Sequence, residues 1–415
     1  ERALLSLRLQ DVGALSGTDW ITLSVNPYAT WLELAKIASY IACFALLTVC
    51  LQERRRILAV IFSLTALALF QVFYGTAQAV SPTPRIWWWA KQLHATFVTG
   101  TYLNRNNLAG FLELCLPLWL GFTVWNFIRG NKEKRHGGHH NPRDRVVKKV
   151  RRIRKVPKGG YGATSSEWAK PSLRHRLATL LGKVERLAIP MAHITVGVCL
   201  LVGLLLTGSR GGILGFFTGL GCMGCLFLFR GGYGRLPKML AGFGALGLLV
   251  GLSIGLDQTL VRFEHEEDLI HRWDITRSVF PMIQEEPIFG VGLGNFNEAY
   301  FKHGLPQYGG RVELVHAHND WAQTAAETGL PGLLLVATSY LLTLCWAVRK
   351  WRARRDPFVM SVGAGLLAGL ISLGLHAFVE FNMQIPANGF FVAVGLALLV
   401  ATVTLKADAK TQEIS

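Results

Sequence analysis

Residues 187–229 read LAIPMAHITVGVCLLVGLLLTGSRGGILGFFTGLGCMGCLFLF, and this stretch decides the fold. Its two apolar runs, 187–207 and 211–229, each have about the length of a helix that crosses ~30 Å of hydrocarbon. The only charged residue in the stretch, Arg210, stands at the tight turn between them. A backbone in lipid must satisfy its own hydrogen bonds, so helices are the reading. Similar runs recur at 29–50, 57–80, 108–128, 239–256, 329–348, 358–380 and 387–405. The expected fold is all-α: a polytopic membrane helix bundle of about nine transmembrane helices with a large periplasmic loop.

The chain of 415 residues is 51% hydrophobic and 17% charged, with a formal net charge of +17. In a soluble protein that excess suggests nucleic acid; here it is local. Between Arg129 and Arg186 stand 18 Lys and Arg against 4 Asp and Glu. Aromatic residues are not interleaved with these charges, so no nucleic-acid partner is expected and anionic membrane lipids are. Arg54 to Arg56, this basic loop, Arg230 with Arg235 and Lys238, and Arg349 to Arg355 fall on one side if the spans alternate. The positive-inside rule makes that side cytoplasmic.

The expected organisation follows. Residues 1–128 hold a periplasmic segment and three spans, 129–186 the basic cytoplasmic loop, and 187–256 three spans with the SRGG turn. Residues 257–328 form the large periplasmic loop, 329–405 three more spans, and 406–415 a cytoplasmic tail. From Asp257 to Ala326 there are 11 acidic residues against 5 basic, so the few arginines there need a reason. The chain opens at Glu1 with no signal-peptide pattern, and earlier helices are expected to be missing. Seven cysteines, all within apolar stretches, argue against a disulfide framework, and the CxxC of Cys222 and Cys225 reads as packing. Trp87, Trp88 and Trp89 read as an interfacial belt, with a sugar-stacking platform as the alternative.

Chemistry concentrates at the outward ends. In Thr207-Gly208-Ser209-Arg210-Gly211-Gly212 an arginine at membrane depth needs a partner, and the following helix points its first amides at the same spot, which suits a phosphate. A snorkelling arginine is the plainer account. The run Phe289 to Phe296, FGVGLGNF, has Asn295 where a dinucleotide fingerprint needs glycine, so it reads as a tight turn or a close approach to a ligand. His316 and His318 read as solvated loop residues, as metal ligands with Asp320, or, for a histidine oriented by Asn319 and Asp320, as a general base. Asn104-Arg105-Asn106-Asn107 with Glu113, and His376 with Glu380, put polar and ionisable groups at span ends. The last two, spaced i to i+4, are expected to share a helix face and to bond each other, for function or for structure alone.

These residues carry a resemblance. Ser209-Arg210-Gly211-Gly212, the GVGLGNF turn, His318-Asn319 followed by AAETGLPG, and HAFVEF from His376 to Phe381 with Asn382 and Ile385-Pro386 look like the O-antigen ligase and polymerase superfamily. GTYLNRNNLAG, Gly100 to Gly110, is similar to its exopolysaccharide-polymerase-like members; Glu380 stands where Asp is expected. The resemblance covers about Thr99 to Leu405. It implies an inner-membrane enzyme that takes a glycan from an undecaprenyl diphosphate carrier, at a periplasmic site, with no metal and no cofactor. The acceptor would be a glycan or lipid A core.

On this reading Arg210 and Arg272 hold the donor diphosphate and His318 deprotonates the acceptor hydroxyl. Arg105, Ser209, Gly211, His316, Asn319, His376 and Glu380 line the substrate site. The alternative from another class is a transporter or flippase of lipid-linked glycan, although no internal repeat is visible.

Overall fold

The computed structural model describes residues 23–91, 96–137, 173–228, 230, 238, 240, 242, 267–303 and 316–406, without the side chains of 131–137, 173–187, 267–274 and 301–303. Nearly all of the sixth apolar run, 239–256, and residues 138–172 of the basic loop lie outside this description. The helices are α1 (Pro27–Cys50), α2 (Arg54–Ala79), α3 (Arg105–Gly137), α4 (Leu173–Leu206) and α5 (Arg210–Leu228). They continue with α6 (Glu267–Glu285), α7 (Phe296–His303), α8 (Asp320–Ala353), α9 (Pro357–His376) and α10 (Pro386–Thr404). Eight are long and apolar enough to cross a membrane, namely all except α6 and α7. The protein is thus a polytopic helical membrane protein, as the apolar runs indicate. One short antiparallel ribbon, β1 (Arg85–Ile86) with β2 (Trp89–Ala90), adds the only strands among the described residues.

Local chemistry sets the helix ends. Asn26 accepts the Ala29 amide at 3.2 Å and Asp356 the Phe358 amide at 2.8 Å, each followed by a proline whose missing N–H is no loss in a first turn. Two ends differ from the hydropathy reading. α9 stops at His376, four residues before the end of the apolar run, and α8 begins at Asp320, nine before its apolar part. α8 is broken at Gly329, whose φ of 67° and ψ of 179° no helix contains, and Pro331 restarts it.

At the centre of the bundle α3 and α9 lie against each other, the apolar window of α3 wholly buried and that of α9 89% buried, so neither is a lipid-facing helix. Their contact runs over glycines. Gly121 meets the Ser361 backbone, Gly365 the Pro117 carbonyl, and Gly369 the Leu114 carbonyl, where an added Cβ would sit at 3.0 Å. Small residues let the backbones approach, the main attraction available where lipid supplies no hydrophobic drive. α1 and α8 instead expose large apolar side chains, among them Leu46, Val49, Leu334 and Leu335.

Contacts define the two ends of the bundle. At one, Arg54 pairs with Asp356 at 2.7 Å and lies 5.0 Å from the Phe358 ring, which meets Trp125, and Trp125 carries Arg129. Arg230 lies 5.2 Å from the Trp351 ring, and Arg354 bonds the Leu405 carbonyl. The described basic clusters therefore share one end of the bundle. The Trp hairpin, the 207–209 turn, residues 316–320 and the α9–α10 loop share the other.

Candidate active site

Residues 316–320 are sewn to the segment after α9. Asp320 accepts the Met383 amide at 2.9 Å and the Gln384 amide at 3.2 Å, and its own N–H donates to the Ala377 carbonyl at 2.8 Å. Asn319 is the N-cap of α8, accepting the Ala322 amide at 3.0 Å. His318 sits between with a φ of 51°, a left-handed conformation uncommon for a residue with a side chain. That turn brings its ring to Glu380, with Nδ1 2.9 Å from Oε1. Glu380 has no exposed side-chain surface and takes a second, short hydrogen bond from the Asn106 amide at the start of α3, while the His318 side chain keeps 26% of its surface. A partly open imidazole is thus oriented through one nitrogen by a buried carboxylate, itself held by an amide.

His316 is placed differently. Its Nδ1 lies 3.3 Å from the Gln323 amide and its ring stacks on Phe381 at 4.6 Å, the ring that His318 meets edge-on at 4.8 Å. Burial pushes His316 well below the usual histidine range, to about 4, against the opposing pull of the Gln323 bond. It is neutral at working pH and a poor proton acceptor. Gln323 also takes the Ala317 amide at 3.0 Å and bonds Glu327 at 2.9 Å, so this cluster stiffens the loop.

Two sequence expectations are corrected. Glu380, not Asn319 or Asp320, orients His318, because those two are spent on the α8 cap and on the Met383 and Gln384 amides. His376 and Glu380 do not share a helix face as an i, i+4 pair. The helix ends at His376 and residues 377–379 form a turn, so Glu380 leaves the helical face. His376 Nδ1 instead reaches Glu113 Oε1 on α3 at 2.6 Å.

The remaining expected residues fall into place around these pairs. Ser209 caps α5, its hydroxyl accepting the Gly212 amide at 3.2 Å, and Arg210 is half-buried at the first position of that helix. Gly211 lies on the His376 ring. Arg105 is buried, its guanidinium 4.4 Å from the Phe97 ring and beside Gly208, so it borders the same turn as Arg210. Arg272 belongs to α6, but its side chain is outside the described residues. The GVGLGNF run is a structural turn. Gly290, Gly292 and Gly294 have φ of 66°, 98° and 73°, and Val291 and Gly292 donate to the Ala326 and Glu327 carbonyls at 2.9 and 3.0 Å, beside the break in α8. Asn106 and Gln323 were missed as individual positions; a neutral amide carries no signal until its partner is known.

Residues 195–337 match the family model described as O-antigen ligase. A search of curated proteins found no match. The matched region runs from α4 through the 207–209 turn and α5 into α8, and so contains Arg210, His316, His318 and Asn319, while Arg105, His376 and Glu380 lie outside it. The match over residues 195–337 together with eight candidate membrane spans supports membership of the O-antigen ligase superfamily and, in the general sense, a membrane glycan ligase or polymerase.

Proposed function

We propose that the protein is a metal-independent glycosyltransferase that moves an undecaprenyl-diphosphate-linked glycan to an acceptor hydroxyl at the periplasmic face of the bacterial inner membrane. The observation that carries this reading is the His318–Glu380 pair, 2.9 Å apart, with the carboxylate fully buried. Glu380 accepts the Nδ1 proton and so fixes the tautomer in which Nε2 is free to take the acceptor's proton. The deprotonated oxygen then attacks the anomeric carbon, and undecaprenyl diphosphate leaves with the electrons of the broken C–O bond. Arg210, at the N-terminus of α5, and Arg272 balance the charge that develops on the diphosphate. Arg105, bordering the same turn, holds the donor beside them. Ser209 and Asn319 serve this site by capping the helices that carry it, and His316 by bracing the loop.

A donor-binding assay beside a single-turnover transfer assay, both in nanodiscs, tests the assignment. Arg210→Ala and Arg272→Ala should each lower transfer by ~100-fold or more, with poor rescue by lysine, since a point charge does not reproduce a planar fork. His318→Ala should abolish transfer and leave donor binding nearly intact. Transfer at the parental rate by His318→Ala refutes the base assignment. Variants that keep transfer and lose lipid translocation would put a transporter in its place.

A further inference from the structure

A second histidine–carboxylate pair lies deeper in the bundle, without contact to solvent. Glu113 on α3 has no exposed surface and His376 at the end of α9 is 2% exposed. Glu113 Oε1 meets His376 Nδ1 at 2.6 Å, and Oε2 accepts the Ser372 hydroxyl at 2.6 Å. The Asn382 amide lies 3.1 Å from the same histidine nitrogen, and Asn388 links Asn382 to the Asn107 carbonyl and to the Tyr102 hydroxyl. Ionisable groups buried this completely in a membrane bundle are costly to leave unpaired and are functional candidates by default.

What packs on this pair is the first turn and a half of α5. A Cβ at Gly211 would lie 2.6 Å from both Cδ2 and Nε2 of His376, and one at Gly212 3.1 Å from Glu113 Oε1. One at Gly215 would overlap Glu113 Oε2 and sit 3.0 Å from the Ser372 hydroxyl. Three glycines on one helix are thus seated on one hydrogen-bonded network, which fixes both the height and the rotation of that helix. Arg210 is the residue immediately before these glycines.

Building on the transferase reading, we infer that Glu113 and His376 are positioning residues that seat the N-terminus of α5 and thereby aim Arg210 at the donor diphosphate. His376 thus moves from the substrate-contacting set to the support beneath it. The other end of the network bears on the His318 site, since Asn382 follows Phe381 and Glu380 follows the 377–379 turn after His376. One buried scaffold therefore registers the leaving-group side of the site against the acceptor side.

The test is a double-mutant cycle on the full-length protein in nanodiscs, read as single-turnover rate and donor affinity per folded molecule. Glu113→Gln keeps the shape and removes the charge, and it should lower the transfer rate by about tenfold. In an Arg210→Ala background the same change should have almost no further effect, because the group it acts through is gone. Glu113→Asp should recover less than half of the lost rate. Ser372→Ala provides a gentler variant that folds if Glu113→Gln does not, with the same non-additivity against Arg210→Ala. Effects that simply multiply would overturn the inference, as would loss of folded protein with unchanged kinetics of the folded fraction. An inactive parent protein would overturn the transferase reading, and this inference with it. Normal parental activity with a multiplicative cycle overturns the positioning role alone.

Discussion

His318 holds a backbone conformation that costs a non-glycine residue of order 1 kcal/mol or more, and it does so beside a carboxylate with no exposed surface. Such strain persists because the surroundings over-determine it: Asp320 and Asn319 pin the chain just after it, and Phe381 receives the ring. The dyad makes a specific claim about its two supporting residues. Glu380→Gln preserves the volume but leaves Nδ1 facing an amide that can offer it a donor, so either imidazole tautomer can form. Transfer should fall by ~100-fold. Asn106→Ala should cost less, about tenfold, because Glu380 loses one of its anchors and keeps its contact with His318. Single-turnover rates with donor affinity measured in parallel decide this; parental rates in both variants refute the dyad as the acceptor-activating unit.

At the scale of elements, the break in α8 joins the membrane bundle to the 287–294 turn. Gly329 has φ 67° and ψ 179°, and a Cβ there would strike the Ile288 backbone and lie 2.8 Å from the Pro287 carbonyl. The Leu330 amide donates to that same Pro287 carbonyl at 2.8 Å, so the break is fixed from both sides. Gly329→Ala should therefore destabilise the protein by about 2 kcal/mol, through both a backbone region that is almost glycine-only and a collision with main chain. Thermal unfolding in detergent would show it as a lowered midpoint. An unchanged midpoint would mean that the turn yields freely and does not hold the loop. The cap of α8 belongs to this scale as well. Asn319 and Asp320 were legible as polar residues near a histidine, but their use as helix cap and loop clamp depended on where α8 starts, which hydropathy places nine residues too late.

For the whole molecule, the aromatic, carboxylate and backbone-carbonyl contacts of Arg54, Arg129, Arg230 and Arg354 gather at one end of the bundle, away from His318. On the proposed reading the positive-inside rule puts that end in the cytoplasm and the dyad at the opposite face. In a background freed of the seven native cysteines, cysteines introduced at Gly160 and Gly309 should be labelled from opposite sides of the membrane. Labelling of both from outside intact cells would invert or break this topology.

Hydrophobic length alone determined the number and approximate limits of the described spans, because lipid imposes one length on every helix that crosses it. Residue chemistry in the string likewise marked His318, Arg210, Glu113, His376 and Glu380, since an ionisable group at a span end is conspicuous wherever it occurs. Their pairing was beyond its reach. Glu113 and His376 are 263 positions apart, as Asn106 and Glu380 are 274 apart, and spacing along one helix suggested Glu380 for His376 while adjacency suggested Asn319 and Asp320 for His318. Only the packing of α3 against α9, and the unwinding of α9 after His376, decided that one histidine meets a carboxylate at an accessible site and the other meets one in the core. Helix periodicity fixes neighbours within an element. Which elements touch, and where each stops, is settled by the glycines that let backbones close up and by the buried polar groups that must find partners across them.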